Sequence, residues 1–244
     1  MTGVQTCALP ISEGQEISEG CGAIPCSHLA SLLATRQNVE ALRKADVARY
    51  RAKAERQACE TAKSWPSHVM ISVDIYASQL KDQLLPARVL KILEEARIAP
   101  SRLEVEITES ALVGDMANAQ AVLGTLRRSG VRIALDNFGT GYSSLYHLRN
   151  FKLDKIKIDR SFIHTIVADP ASAGIVNALV GLGHGLGLTI AAEGVEATDQ
   201  EGLLLSSGCE QGQGQLFSGP IGALDTVSLF GSDSTMSLYV SPRR

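Results

Sequence analysis

The chain has 244 residues, 45% hydrophobic and 20% charged, with a formal net charge of −3. High apolar content without low-complexity tracts excludes collagen-like, coiled-coil and disordered classes, and a near-neutral chain is not expected to bind a nucleic-acid polymer. The length is close to the ~250 residues of one TIM-type barrel, so one large domain or two small ones are both open.

Residues 1–12, MTGVQTCALPIS, lack the basic start and apolar stretch of a secretory signal. They resemble the translation of a sequencing-adapter oligonucleotide and are set aside from the fold as a non-native tail. Residues 39–55 predict a helix, with Ala41, Ala45, Ala48 and Ala52 on one stripe and Val47 and Tyr50 off it. Its segment ALRKADVARYRAKAE (41–55) resembles the last helix of the GGDEF diguanylate-cyclase family, and GQEISEGCG (14–22) is similar to that family's penultimate strand. The GGDEF signature itself is absent, so cyclase activity is not implied. RQACETAKSWP (56–66) follows without a Gly/Pro/Ser linker and predicts helix to about Ser64, stopping before Pro66.

From His68 the pattern alternates short apolar runs with amphipathic segments. Strands are expected at 69–75, 103–107, 131–136, 153–158, 188–193 and near 214–217. Helices are expected at 86–96, within 115–128, from Ser143, within 170–184 and at 197–206. Gly130 suits the stop of the second helix. Ile175–Ala192 is the most membrane-like run, but four glycines and His184 interrupt it, so no membrane span is expected. The fold class is α/β: an incomplete TIM-like (β/α) barrel, about six of eight strands, with an N-terminal helical segment.

The cysteines Cys7, Cys21, Cys26, Cys59 and Cys209 form no CxxC pair, and the histidines show no metal-ligand spacing with them. Unpaired thiols fit a reducing, cytoplasmic setting. Asp74, Glu106, Asp136, Lys157 and Glu193 each fall at or near the C-terminal end of an expected strand. In a βα barrel those ends share one rim, where active sites sit. Such a charge excess calls for cations, and oxygen ligands without Cys or His favour Mg2+ or Mn2+. One such carboxylate would read as a helix cap; five groups on successive strands read as a site. The stretch DNFGTGYSSL (136–145) is by itself a generic βα loop, neither GxGxxG nor a P-loop.

LEVEITES (103–110), ALDNFGTGYSSL (134–145), LDKIKIDRSF (153–162), AAEGVEATDQ (191–200) and GCEQGQGQLFSGP (208–220) resemble, in order, successive motifs of the EAL-domain family. That resemblance runs from about Arg56 to Pro220 and implies a cyclic di-guanosine monophosphate (cyclic di-GMP) phosphodiesterase. Carried over by position, Asp74 stands where the family has a metal-binding Asn, and Glu106 resembles a metal ligand. Asp136 resembles the carboxylate that bridges two cations, and Asn137 stands where a second metal-binding Asp is usual. Lys157 and Glu193 match residues around the nucleophilic water, Glu196 and Gln213 complete the surroundings, and Glu109 is similar to the anchor of the glycine loop. The implied chemistry is hydrolysis to the linear dinucleotide through water activated by two cations.

Three departures shape the expectations. The Glu-Ala-Leu segment, with its metal-binding Glu and nearby substrate-contacting Arg, should precede residue 56 and is missing, as are the first barrel strands. Asp74 replaces Asn and adds charge; Asn137 replaces Asp and removes it. The chain is therefore expected to divide into an adapter-derived tail (1–12), a GGDEF remnant (13–55), a partial EAL domain (56–221) and a C-terminal tail (222–244). Hydrolysis is expected to be impaired or absent, with a non-catalytic dinucleotide sensor or a protein-interaction scaffold as alternatives. A homodimer through the barrel is a further expectation.

Overall fold

The computed structural model describes residues 5–6, residues 56–217 apart from 57, 58, 61, 68, 114, 141–147 and 149, and residues 239–240. The expected helix at 39–55, the stretch 13–55 and the short helix from Ser143, apart from two residues, lie outside the described residues, as does all of 222–244 except Tyr239 and Val240.

Eight strands are described: β1 (Gln5–Thr6), β2 (Met70–Asp74), β3 (Leu103–Thr108), β4 (Arg132–Phe138), β5 (Lys155–Ile158), β6 (Thr189–Glu193), β7 (Gln211–Gln213) and β8 (Tyr239–Val240). The helices are α1 (Ala77–Leu80), α2 (Leu85–Ala96), α3 (Glu109–Val113), α4 (Met116–Arg128), α5 (Arg160–Thr165), α6 (Pro170–Gly185) and α7 (Thr198–Ser207). The sheet order is β7-β6-β5-β4-β3-β2-β1-β8, and every pairing is parallel. β2 to β7 form the expected six-strand run with helical crossovers.

Strands β3 to β6 are buried along most of their length and alternate between two faces. Val73, Leu103 and Val105 face Val89, Ile92 and Leu93 of α2 across a small apolar gap. Ile190 of β6 lies against α6 so closely that a Cβ on Gly183 would stand 2.0 Å from its Cδ1. The intervening residues turn to the opposite face and carry the polar groups. That two-residue period is the reason the strands can carry charge on one face and apolar packing on the other.

Helix starts follow local chemistry. Asp115 caps α4 by accepting the Asn118 N–H at 3.1 Å, and Asp169 caps α6 by accepting from the Ala171 and Ser172 N–H groups. Pro170 at the first turn of α6 supplies a fixed φ where no donor is needed.

The structure differs from the expectations at several points. Residues 1–12, set aside on sequence, contribute β1, whose Gln5 and Thr6 pair with Met70 and Ile71. An unpaired β2 edge is a row of open donors and acceptors, and a short strand covers it. The last strand of the run lies at Gln211–Gln213, not near 214–217, because Gly214 turns tightly against Val195; a Cβ there would stand 2.1 Å from the Val195 carbonyl oxygen. β4 runs past Asp136 to Phe138 through a register shift, with Asn137 at φ 54, a conformation asparagine tolerates. Helices α1, α3 and α5 were not foreseen; Asp159 starts α5 by accepting the Ser161 N–H at 2.8 Å. Among the described residues, no helix is long and apolar enough to cross a membrane.

Candidate active site

Parallel strands bring their C-terminal ends to one rim, and the alternation just described selects which side chains point inward there. Asp74 closes β2, Glu106 and Asp136 lie within the last turns of side chains on β3 and β4, Lys157 precedes the end of β5, and Glu193 closes β6. Four of these five groups are fully buried: Glu106, Asp136, Lys157 and Glu193.

Lys157 sits at the centre. Its Nζ donates to Glu106 Oε2 and to Glu193 Oε1, both at 2.6 Å, and lies 3.5 Å from Asp136 Oδ1. Burial alone would push this amine down, but Glu106, Glu193 and Asp136 together hold it well above its ordinary value. Burial likewise works to raise the Glu106 carboxyl, and the Lys157 ammonium outweighs it and keeps that carboxyl low. Both groups are therefore charged at neutral pH.

Carboxylate oxygens of Asp74, Glu106 and Asp136 all lie within 4.8 Å of one another. Counting Glu193, four carboxylates face one ammonium, which leaves a formal excess of three negative charges in a mostly buried place. An uncompensated excess of that kind is costly. Oxygen donors at this spacing fit a hard divalent cation, and the residues present therefore suit one.

The remaining expected residues are distributed around this cluster. Asn137 joins it indirectly, its Nδ2 donating to Asp136 Oδ2 at 3.1 Å. Glu109, at the start of α3, accepts the Gly139 N–H at 3.2 Å and so ties α3 to the glycine loop. Gln213 pairs in register with Glu193 at the end of β7. Glu196 is exposed and lines an open groove of about 460 Å3 with Arg160, Ser161, His164 and Gly194.

Sequence reasoning missed a second charged layer. Glu104, Lys155 and Ser72 are buried one period below the rim residues, and Lys155 donates to Glu104 at 2.6 Å. The signal was present in LEVE and KIK, where a second charge stands two residues before the rim charge and must share its face. Burial raises the Glu104 carboxyl and lowers the Lys155 amine, and their mutual attraction only partly opposes this.

An incomplete parallel (β/α) barrel with a carboxylate cluster suited to a divalent cation at its C-terminal rim is the class of protein that fold and site define. The chain belongs to the EAL domain family, whose model matches residues 29–220. That match begins upstream of Arg56, where the motifs of the sequence first suggested the likeness. The cyclic di-GMP phosphodiesterase NbdA of Pseudomonas aeruginosa is 39% identical over 170 residues, covering 68% of this chain and 22% of NbdA. The crystal structure of the EAL domain of Mycobacterium smegmatis DcpA superposes with a TM-score of 0.68 at 34% identity, covering 71% of this chain and 80% of that one. Klebsiella pneumoniae BlrP1, solved as a manganese and cyclic di-GMP complex, gives a TM-score of 0.67 at 28% identity, covering 81% and 48%. The chain spans between 21% and 24% of the length of the first curated relatives it matches.

Proposed function

We propose that this chain carries the site that hydrolyses cyclic di-GMP to the linear dinucleotide. The observation that carries the reading is the buried rim cluster, in which Asp74, Glu106 and Asp136 offer three oxygens within 4.8 Å of one another beside Lys157. The activity named for NbdA and the ligands named for BlrP1 support the same reading. A bound pair of Mg2+ or Mn2+ ions would lower the pKa of a shared water and screen phosphate charge. Asp74, Glu106 and Asp136 would hold them. Lys157 stays protonated, orients Glu106 and Glu193 by hydrogen bonds, and offers a fixed positive charge to an incoming phosphodiester. Glu109 holds the glycine loop beside Asp136 through Gly139.

Asn137 sets the expected rate. An amide in place of a carboxylate removes one negative charge from the ligand set, so the second cation binds weakly and turnover is slow. The reading also includes a cytoplasmic setting and a homodimer through the barrel, which sedimentation velocity tests. The decisive experiment is turnover of cyclic di-GMP with Mn2+ or Mg2+, followed by separation of cyclic and linear dinucleotides. Linear product that disappears in Glu106→Gln supports the proposal. Tight dinucleotide binding with no product under either cation would make the chain a sensor instead.

A further inference from the structure

The charged layer beneath the rim has no part in the chemistry just proposed. Ser72, Glu104 and Lys155 stand two residues before Asp74, Glu106 and Lys157 on β2, β3 and β5. The two-residue period of a strand puts each pair on one face, so the three groups meet directly below the cluster. Lys155 Nζ donates to Glu104 Oε1 at 2.6 Å, and the Ser72 hydroxyl donates to the same oxygen at 3.2 Å. Glu104 and Lys155 are only 0% and 3% exposed in their side chains.

Stability does not account for this pair. A buried ion pair offsets its desolvation only with good geometry and with its other polar atoms satisfied; apolar residues of similar volume are often as stable or more so. Glu104 Oε2 has no hydrogen-bond partner among the described residues. What the pair does supply is order in the charges above it. The strand period stacks Glu104 directly beneath Glu106 and Lys155 directly beneath Lys157, so each lower charge stands one side-chain layer from the rim charges. With Lys155 absent, Glu104 would compete with Glu106, Asp136 and Glu193 for the one rim ammonium.

We propose that Glu104, Lys155 and Ser72 are positioning residues for the rim. Lys155 and the Ser72 hydroxyl both donate to Glu104 and hold it in the lower layer, so that Lys157 serves the rim carboxylates alone and keeps Glu106 at the spacing a divalent cation needs. This rests on the cation reading of the site given above.

The test is calorimetric titration of the 244-residue chain with MnCl2, with thermal melts followed by circular dichroism. The double variant Glu104→Met/Lys155→Met removes both charges while keeping volume. It is expected to melt at or above the parent temperature, yet to bind Mn2+ about 10- to 100-fold more weakly, the usual effect of losing the partners that orient a metal ligand. Ser72→Ala, a smaller change, is expected to weaken Mn2+ several-fold without lowering cooperativity, and it decides alone if the double variant does not fold. A folded double variant, or Ser72→Ala, that keeps the parent's Mn2+ affinity overturns the inference and leaves the cation site standing. A parent chain that binds no Mn2+ overturns both.

Discussion

Lys157 carries more of the site than any other single residue, because among the described residues it is the one ammonium paired with Glu106, Asp136 and Glu193. Lys157→Met leaves those buried carboxylates unneutralised, which costs about 3–5 kcal/mol by analogy with other broken buried pairs. A cation placed among the same oxygens would replace part of the lost charge. The melting temperature of Lys157→Met should therefore rise more on adding Mn2+ than that of the parent; equal rises in differential scanning calorimetry would contradict the arrangement. Asn137 gives the complementary test. Its Nδ2 donates to Asp136 where a carboxylate would offer an oxygen. Asn137→Asp should tighten the second Mn2+ site and raise kcat by at least about tenfold, in line with the effect of restoring a metal-ligand partner. No change in either quantity would mean that position 137 lies outside the cation site.

At the scale of elements, caps and close packing hold the strands that present the rim. Asp115 accepts the Asn118 N–H at the start of α4, and Asp115→Ala should destabilise the chain by about 1 kcal/mol in urea unfolding, while Asp115→Asn should be nearly neutral. Asp169 and Asp82 are both held below their ordinary value of 3.8, Asp169 chiefly by the Ser172 hydroxyl and Asp82 chiefly by the Leu84 N–H. Since each binds its proton less readily when folded, each contributes stability above that ordinary value and loses it as pH falls through the depressed one. The urea midpoint of the parent should thus fall more steeply below pH 3.8 than that of Asp169→Asn, which has no carboxylate to protonate. Helix α6 approaches β6 through Gly183, where an added Cβ meets Ile190 at 2.0 Å. Gly183→Ala should cost about 1–3 kcal/mol through overpacking, and a double-mutant cycle with Ile190→Ala should show the two changes partly cancelling.

At the scale of the molecule, the rim joins five consecutive strands, so a ligand bound there clamps β2 to β6 together. Any species that binds only the folded state stabilises it by mass action, about 2.7 kcal/mol at a hundredfold excess over Kd. Saturating Mn2+ should accordingly raise the melting temperature of the whole chain, and a chelator should reverse it. A melting curve indifferent to Mn2+ and Mg2+ would deny the cluster a cation. β1 adds a further dependence: it covers the β2 edge with residues 5 and 6, and Thr6→Pro, placed opposite Ile71 in that ladder, should lower the melting temperature.

Much of this was legible in the chain itself. The alternation of short apolar runs with amphipathic segments determined the βα order, and the strand-end positions of Asp74, Glu106, Asp136, Lys157 and Glu193 determined that they share a rim, because parallel strands align their C-terminal ends. Glycine loops and acidic caps are local chemistry and read locally. What only the tertiary structure decided is which charges meet. Lys157 is 51 residues from Glu106 in sequence yet 2.6 Å away, and nothing in either segment names its partner. The position of β7 likewise depended on Gly214 packing against Val195, and β1 on the edge of β2, whose residues lie 65 positions downstream of their partners. Glu104 and Lys155 were visible as charges in strands, but their pairing follows from register across β3, β4 and β5. Side-chain direction is set by neighbours one or two residues away; partnership is set by how the sheet closes.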